Sequence, residues 1–136
     1  MIDLSDFILS FTVYGNVRSK SNSRRLVTVR NKKTGKNHPA FIKSQAALDF
    51  VNDFYKQCPK LETPLDGDLF IQTDIYYDSE KPDLDPSLVF DCLQAAKIIV
   101  NDRRLRSHRV RHGIDKTSPR VEISIRPCEP GDRAGE

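Results

Sequence analysis

The segment DLFIQTDIYYD, residues 68–78, constrains the fold more than any other part of this sequence. Its Leu, Ile, Thr, Ile and Tyr share one face of an extended chain, and its Phe, Gln, Asp and Tyr share the other. This two-residue period over a β-rich stretch predicts a strand. We therefore expect the chain to be built around a sheet that contains this segment.

Further strands are predicted by shorter stretches of apolar and β-branched residues. A turn around Gly35 separates two of them, which predicts a basic hairpin or flap. A short apolar stretch just before Asn101 predicts one more strand. The predicted strands are residues 7–14, 26–30, 40–42, 98–100 and 121–126.

Two helices are predicted between the strands. Ser44 is the expected N-cap of the first, whose apolar stripe runs through QAALDFVNDFYKQ until Pro59 ends it. The second is expected to start at Asp85 as N-cap with Pro86 at its first position. The sum is an α+β fold with a small mixed sheet and two main helices, in a single domain over residues 1–127 with a flexible tail at 128–136.

The composition excludes several classes of protein. With 136 residues, 38% apolar and 30% charged, the chain fits one soluble domain. No stretch approaches the roughly 18 apolar residues that cross a bilayer. The N-terminus carries acids in place of the basic start of a signal peptide, which predicts a cytoplasmic protein. Three widely spaced cysteines predict neither zinc binding nor disulfides, and no glycine-rich phosphate loop or organic cofactor motif is present.

The charges are strongly segregated along the chain. No acid lies between Phe7 and Leu48, a stretch with nine Lys or Arg, and residues 103–120 hold seven more with a single acid, Asp115. Such blocks often form plain solvated faces. Two basic arms around an acidic centre also suit an enzyme that cuts a polyanion, with cations holding phosphates and carboxylates holding a metal. Charge alone does not choose between binding and cutting.

The acidic centre predicts a magnesium site. Asp83 and Asp85 are two apart in an expected extended segment, so their carboxylates point to the same side. Asp102 follows the predicted strand 98–100 and is the expected third ligand. Mg²⁺ needs only a few carboxylates plus phosphate oxygens and water, and it would lower the pKa of a bound water. Taken singly, the three acids would also suit a helix cap, a loop and a turn.

These residues resemble the RusA family of Holliday junction resolvases. The likeness lies in DLD opening a helix, the step Asp91-Cys92-Leu93, and an apolar strand ending in ND before a basic segment. It extends over roughly residues 7–126, with its specific part at 83–102. It implies a small bacterial or phage endonuclease that acts as a homodimer with Mg²⁺, for which Mn²⁺ substitutes. The family's metal-binding aspartates would correspond to Asp83, Asp85 and Asp102.

Two departures from the family pattern concern the site. The usual DLDN motif is followed by a lysine four residues after its second aspartate, and this chain has Val89 there. The interval to the third aspartate is two residues shorter, and Asn101 stands where an aspartate is common. A transition-state cation would then come from elsewhere. The candidates are Lys81, Lys97 and Arg103.

Other polar residues have weaker claims on the site. Asp91 lies on the flank of the second helix and would support the ligands or be solvated. Asp74 on the central strand would face the site or an edge. His108 and His112 are four apart in a segment expected to be extended, so phosphate or solvent contact is favoured over metal ligation.

The expected partner is branched DNA, and its contacts are expected from both basic arms through charge rather than base reading. The rival functions are a non-catalytic DNA- or RNA-binding module and a nuclease for flaps or forks. The predicted DNA-contacting residues are Arg18, Lys20, Arg24, Arg25, Lys32, Lys33, Lys36, Arg104, Arg106, Arg109 and Arg111.

Overall fold

The computed structural model describes residues 7–18, 24–30 and 32–136, and within these ranges it contains one four-stranded sheet, one two-stranded hairpin and two helices. Neither helix has the length and apolar character that a membrane span requires. The elements in chain order are β1 (Leu9–Tyr14), β2 (Arg24–Arg30), β3 (Asn37–Lys43), α1 (Gln45–Gln57), β4 (Leu69–Tyr77), α2 (Ser87–Ala95), β5 (Leu105–Ile114) and β6 (Arg120–Pro127).

The main sheet is mixed, with strand order β1-β6-β4-β5. Strand β6 pairs antiparallel with both β1 and β4, whereas β4 pairs parallel with the edge strand β5. A parallel pair needs a crossover, and α2 lies in the connection between β4 and β5. The predicted α+β fold with a small mixed sheet and two main helices is confirmed.

The basic hairpin is also confirmed as a structural element. Strands β2 and β3 pair antiparallel from Arg24 opposite Lys43 to Arg30 opposite Asn37, and they form a sheet separate from the main one. Both strands are longer than the sequence predicted, because backbone pairing continues past the apolar residues into the polar flanks.

Both helices cover the same face of the main sheet. In α1 the Ser44 hydroxyl accepts a hydrogen bond from the Ala47 N–H at 3.3 Å, as its predicted capping role requires. The alternate β4 residues Ile71 and Ile75 are fully buried beneath the helices, in one core cluster with Phe50 of α1. The buried residues of α2 are Leu88, Val89, Cys92 and Leu93.

The opposite face of the sheet is polar and held by arginines. The Arg120 guanidinium lies 4.0 Å from the centre of the Tyr76 ring, and Arg126 lies 4.2 Å from that of Phe70. Asp74, at 8% exposure, accepts two hydrogen bonds from Arg111 at 2.7 and 2.6 Å. This arrangement places Asp74 on the face away from the helices.

The start of α2 differs by one residue from the prediction. The helix begins at Ser87 with Pro86 as its N-cap, so the prediction of Asp85 as N-cap and Pro86 as first helical residue is wrong. The Asp85 side chain still accepts a hydrogen bond from the Ser87 N–H at 3.0 Å. It therefore satisfies one of the backbone donors that a helix start leaves open.

The strand predicted at residues 98–100 is wrong. Ile98 and Ile99 are fully buried, but their N–H groups bond back to the Leu93 carbonyl, and Lys97 before them has a positive φ of 60°. The segment thus closes the end of α2, and its strand-like contact is one bridge from Ile99 to Leu65. Burial, rather than pairing in the sheet, explains its apolar residues.

Residues 128–136, for which the sequence predicted a flexible tail, contact the sheet through side-chain hydrogen bonds. Asp132 accepts hydrogen bonds from Arg126 at 2.6 and 3.2 Å, and Arg133 bonds Asp68 at 2.8 Å. The Arg126 guanidinium lowers the pKa of the Asp132 carboxyl below its ordinary value. The tail therefore closes over the end of β6.

Gly113 of β5 provides a test of how closely the polar face packs. A Cβ at this position would lie 2.7 Å from Cδ1 of Tyr76, whose ring is held under Arg120. We expect Gly113→Ala to lower the free energy of unfolding by about 1–3 kcal/mol in urea titrations, because the ring must move. In a Tyr76→Ala background, Gly113→Ala should lower the free energy of unfolding by clearly less. An equal loss in both backgrounds would mean that the strain does not come from the Tyr76 ring.

Candidate metal centre and nucleic-acid surface

The Asp83–Asp85 segment is fastened to the sheet by one buried hydroxyl. Tyr77, the last residue of β4, is 2% exposed and belongs to the hydrophobic core. Its hydroxyl donates to the Asp83 carbonyl and accepts from the Asp85 N–H, both at 3.2 Å. Burial is the main cause that raises the pKa of Tyr77 above its ordinary value, so the hydroxyl stays protonated at neutral pH. The two aspartates are thereby held at the end of β4.

The side chains of this pair lie at the protein surface. Asp83 is exposed and Asp85 is half-buried, with one carboxylate oxygen on the Ser87 N–H. The negative charges of both carboxylates add to burial in raising the pKa of Tyr77. The exposed residue of the pair, Asp83, thus lies shortly before the start of α2.

Asp102 is placed at the other end of the same helix. It starts a single 3-10 turn, and its N–H donates to Oε1 of Gln94 at 2.9 Å. Gln94 lies about 10 Å along the helix axis from Ser87, because each residue adds about 1.5 Å. Asp102 shares the wall of an open cavity of about 610 Å³ with Asp91, Gln94, Ala95, Asn101 and Arg103.

The three predicted ligands and the supporting Asp91 thus form two pairs. Asp83 and Asp85 meet at Tyr77, and Asp91 and Asp102 meet at the cavity. Among the residues that the structure describes, no group of three or more His, Cys, Asp or Glu side chains is arranged to hold a metal ion. The Asp83–Asp85 pair suits Mg²⁺ by its oxygen donors, since this ion is commonly bound by one or two carboxylates with phosphate oxygens and water. The joint action of all three aspartates stays a prediction.

The three candidate cations differ in their surroundings. Val89, at the position of the family's lysine, is fully buried in α2 and faces the core. Lys81 and Lys97 are exposed in connecting segments. Arg103 lines the cavity of Asp102, and its Nε and backbone N–H both donate to Oδ1 of Asn101. Asn101 therefore orients Arg103 beside Asp102.

The two histidines of β5 lie on the helix-facing side of this edge strand. His112 pairs with Ile75 in register, and its ring lies 5.1 Å from the ring of Tyr77. His108 packs on Phe90 of α2 at 4.8 Å, with Nε2 2.8 Å from the Leu105 carbonyl. Sequence reasoning missed Tyr77, because a tyrosine on the apolar face of a strand has the pattern of a core residue. Its position at the strand end, a few residues before DLD, was the available signal.

Several predicted DNA-contacting arginines are already paired with acids. Arg104 lies 3.2 Å from Asp66, Arg106 lies 3.5 Å from Asp68, and Arg111 holds Asp74. Their charge is therefore partly neutralised before any DNA arrives. Of the first basic arm, Lys32, Lys33 and Lys36 are exposed at the hairpin turn, Arg18 is half-buried, Arg24 and Arg25 lie in β2, and Lys20 lies outside the described residues.

Comparison with known proteins adds no family assignment. The chain matches no protein-family model, and a search of curated proteins finds no match. The functional interpretation therefore depends on the residues and their geometry.

Proposed function

We propose that this protein is a Mg²⁺-dependent, structure-specific endodeoxyribonuclease that resolves branched DNA such as Holliday junctions. The observation that carries the proposal is the Asp83–Asp85 pair, fixed by Tyr77 at the start of α2 beside the basic strand β5. Two neighbouring carboxylates suit binding of a divalent ion together with a phosphodiester and water.

In this proposal Asp83 and Asp85 hold the ion and Tyr77 fixes the backbone between them. When bound, Mg²⁺ would supply a lowered pKa for water and charge stabilisation at the scissile phosphate. Arg103, which Asn101 orients in the cavity that Asp102 lines, is a candidate for the transition-state cation together with Lys81 and Lys97. Asp102 is the proposed third carboxylate.

The proposed partner is a four-way junction, and the proposed assembly is a homodimer. Symmetric resolution needs two nicks on opposed strands, and a two-fold dimer offers two equivalent sites. A cytoplasmic location in a bacterial or phage-infected cell is part of the same proposal.

The direct test is incubation of the purified protein with a labelled four-way junction, with and without Mg²⁺, followed by a denaturing gel. The proposal expects paired nicks near the branch point only in the presence of Mg²⁺ or Mn²⁺. Full-length strands under both conditions would contradict it. A panel that includes flaps and forks distinguishes junction resolution from cleavage of other branched DNA.

A second candidate function is a non-catalytic DNA- or RNA-binding module. It is favoured by the observation that no three-acid metal group is formed within the described residues. In this case the Asp85 carboxylate, which accepts a hydrogen bond from the Ser87 N–H, would have a structural role at the start of α2. Binding of the junction without cleavage under any divalent ion would support this candidate.

The charge pairing on β5 predicts which arginine contacts phosphate. Arg109 is exposed without an ion pair in the described part of the chain, whereas Arg111 on the same face is held by Asp74. We expect Arg109→Gln to reduce the slope of log affinity against log salt by about 0.9, since one counterion fewer is released. Arg111→Gln is the matched control and should leave the slope unchanged. Fluorescence anisotropy in EDTA at several salt concentrations measures both; equal slopes for the two variants would contradict the assignment.

A further inference from the structure

We propose that Tyr77 is a positioning residue for the metal centre, and that its hydroxyl sets the affinity of the Asp83–Asp85 pair for a divalent ion. This inference rests on the proposed function, because it concerns the same site. Nothing in the pattern of the strand distinguishes Tyr77 from an ordinary core side chain, so the assignment comes from its contacts.

One oxygen of Tyr77 contacts the backbone of both candidate ligands. The hydroxyl donates a hydrogen bond to the Asp83 carbonyl and accepts one from the Asp85 N–H, each at 3.2 Å. These two bonds connect the peptide groups on either side of Leu84 and fix their relative orientation. The spacing of the two carboxylates then depends on a single atom.

This oxygen also belongs to a buried side chain. The Tyr77 ring is 2% exposed and lies in the hydrophobic core at the end of β4. The ring of His112, on the neighbouring strand β5, packs against the Tyr77 ring with 5.1 Å between the ring centres. The segment that carries Asp83 and Asp85 is thereby anchored to the sheet, as a preformed pair of metal ligands requires.

Asp85 is bonded both through its backbone N–H and through its carboxylate. Its N–H is bonded by Tyr77, and one of its carboxylate oxygens is bonded by the Ser87 N–H at 3.0 Å. The side chain is therefore oriented between the strand end and the helix start. Loss of the Tyr77 hydroxyl would remove one of these two contacts and leave the one with the Ser87 N–H.

The test is Mn²⁺ binding, measured by electron paramagnetic resonance without DNA, in Tyr77→Phe and in Tyr76→Phe. Tyr76→Phe is the matched control, because it removes a hydroxyl from the same strand on the opposite face and keeps the ring under Arg120. We expect the dissociation constant to rise about 10- to 100-fold in Tyr77→Phe, the usual effect of losing a group that orients ligands. In Tyr76→Phe it should stay within about twofold of the parent, since this tyrosine lies away from the ligands.

Two further measurements keep the outcomes separable. Faster hydrogen exchange at the Asp85 amide, with unchanged exchange in β4, should accompany the loss of affinity and shows that the fold is intact. Asp83→Asn should abolish Mn²⁺ binding; if it binds like the parent, the proposed metal site itself fails. If Asp83→Asn loses binding while Tyr77→Phe binds like the parent, the role of Tyr77 is overturned and the proposed function stands.

Discussion

Asp83→Asn and Asp85→Asn are each expected to lower the rate of junction cleavage by about 100-fold or more while junction binding is retained. Asparagine keeps the shape of the side chain and its backbone contacts but removes the charge that a divalent ion needs. Affinity for DNA should not fall, because phosphates are attracted by the basic arms and repelled by these acids. Single-turnover cleavage and gel-shift assays, the latter in Ca²⁺, measure the two properties separately.

The matched control for this pair is Asp78→Asn. Asp78 is exposed, directly follows β4 and lies on the connection to DLD, without the Tyr77 contacts of Asp83 and Asp85. The Asp78→Asn variant should cleave the junction at close to the rate of the parent protein. Cleavage by Asp83→Asn and Asp85→Asn at the rate of this control would mean that the pair serves only to start α2.

The sequence predicted three of the four strands of the main sheet and both helices, for physical reasons that can be named, whereas β5 was expected only to be extended. Residues 68–78 alternate over a whole strand, and one face of β4 is buried in full, so the pattern reports real burial. The same holds for the stripe of α1, where Ala47, Phe50 and Phe54 are buried. Short apolar stretches are ambiguous by comparison: residues 98–100 are buried as the end of a helix, although their composition is that of a strand.

The site was predictable in its residue types but not in its assembly. Two aspartates at i and i+2 before a helix are visible in the sequence, and the structure holds both at Tyr77. The position of Asp102 was not predictable, because it depends on how residues 96–101 leave α2. A strand there would have returned the chain toward Asp83, whereas the observed closure of the helix leaves Asp102 beside Gln94.

Asp102→Asn is the substitution that decides whether this third aspartate takes part in the chemistry. The proposal expects it to lower cleavage by about 100-fold, the effect of a lost metal ligand, although in the structure Asp102 lies beside Gln94, at the other end of α2 from Asp83 and Asp85. Asp91→Asn is the matched control: Asp91 lines the same cavity, so both substitutions remove one negative charge from one place. Asp91→Asn should lower the rate of cleavage by less than about tenfold, which is the lower end of the range for groups that only support the ligands.

Comparison of these two variants distinguishes direct binding of the metal ion from the electrostatic effect of a negative charge in the cavity. A field effect depends on charge and distance and would lower the rate similarly in both, whereas a ligand acts through one defined oxygen. A Mn²⁺ titration adds a second criterion, since loss of a ligand should raise the metal concentration required for half-maximal cleavage. If Asp102→Asn and Asp91→Asn cut equally well, the ion is held by Asp83 and Asp85 with phosphate and water alone, and the third ligand predicted from the sequence is wrong.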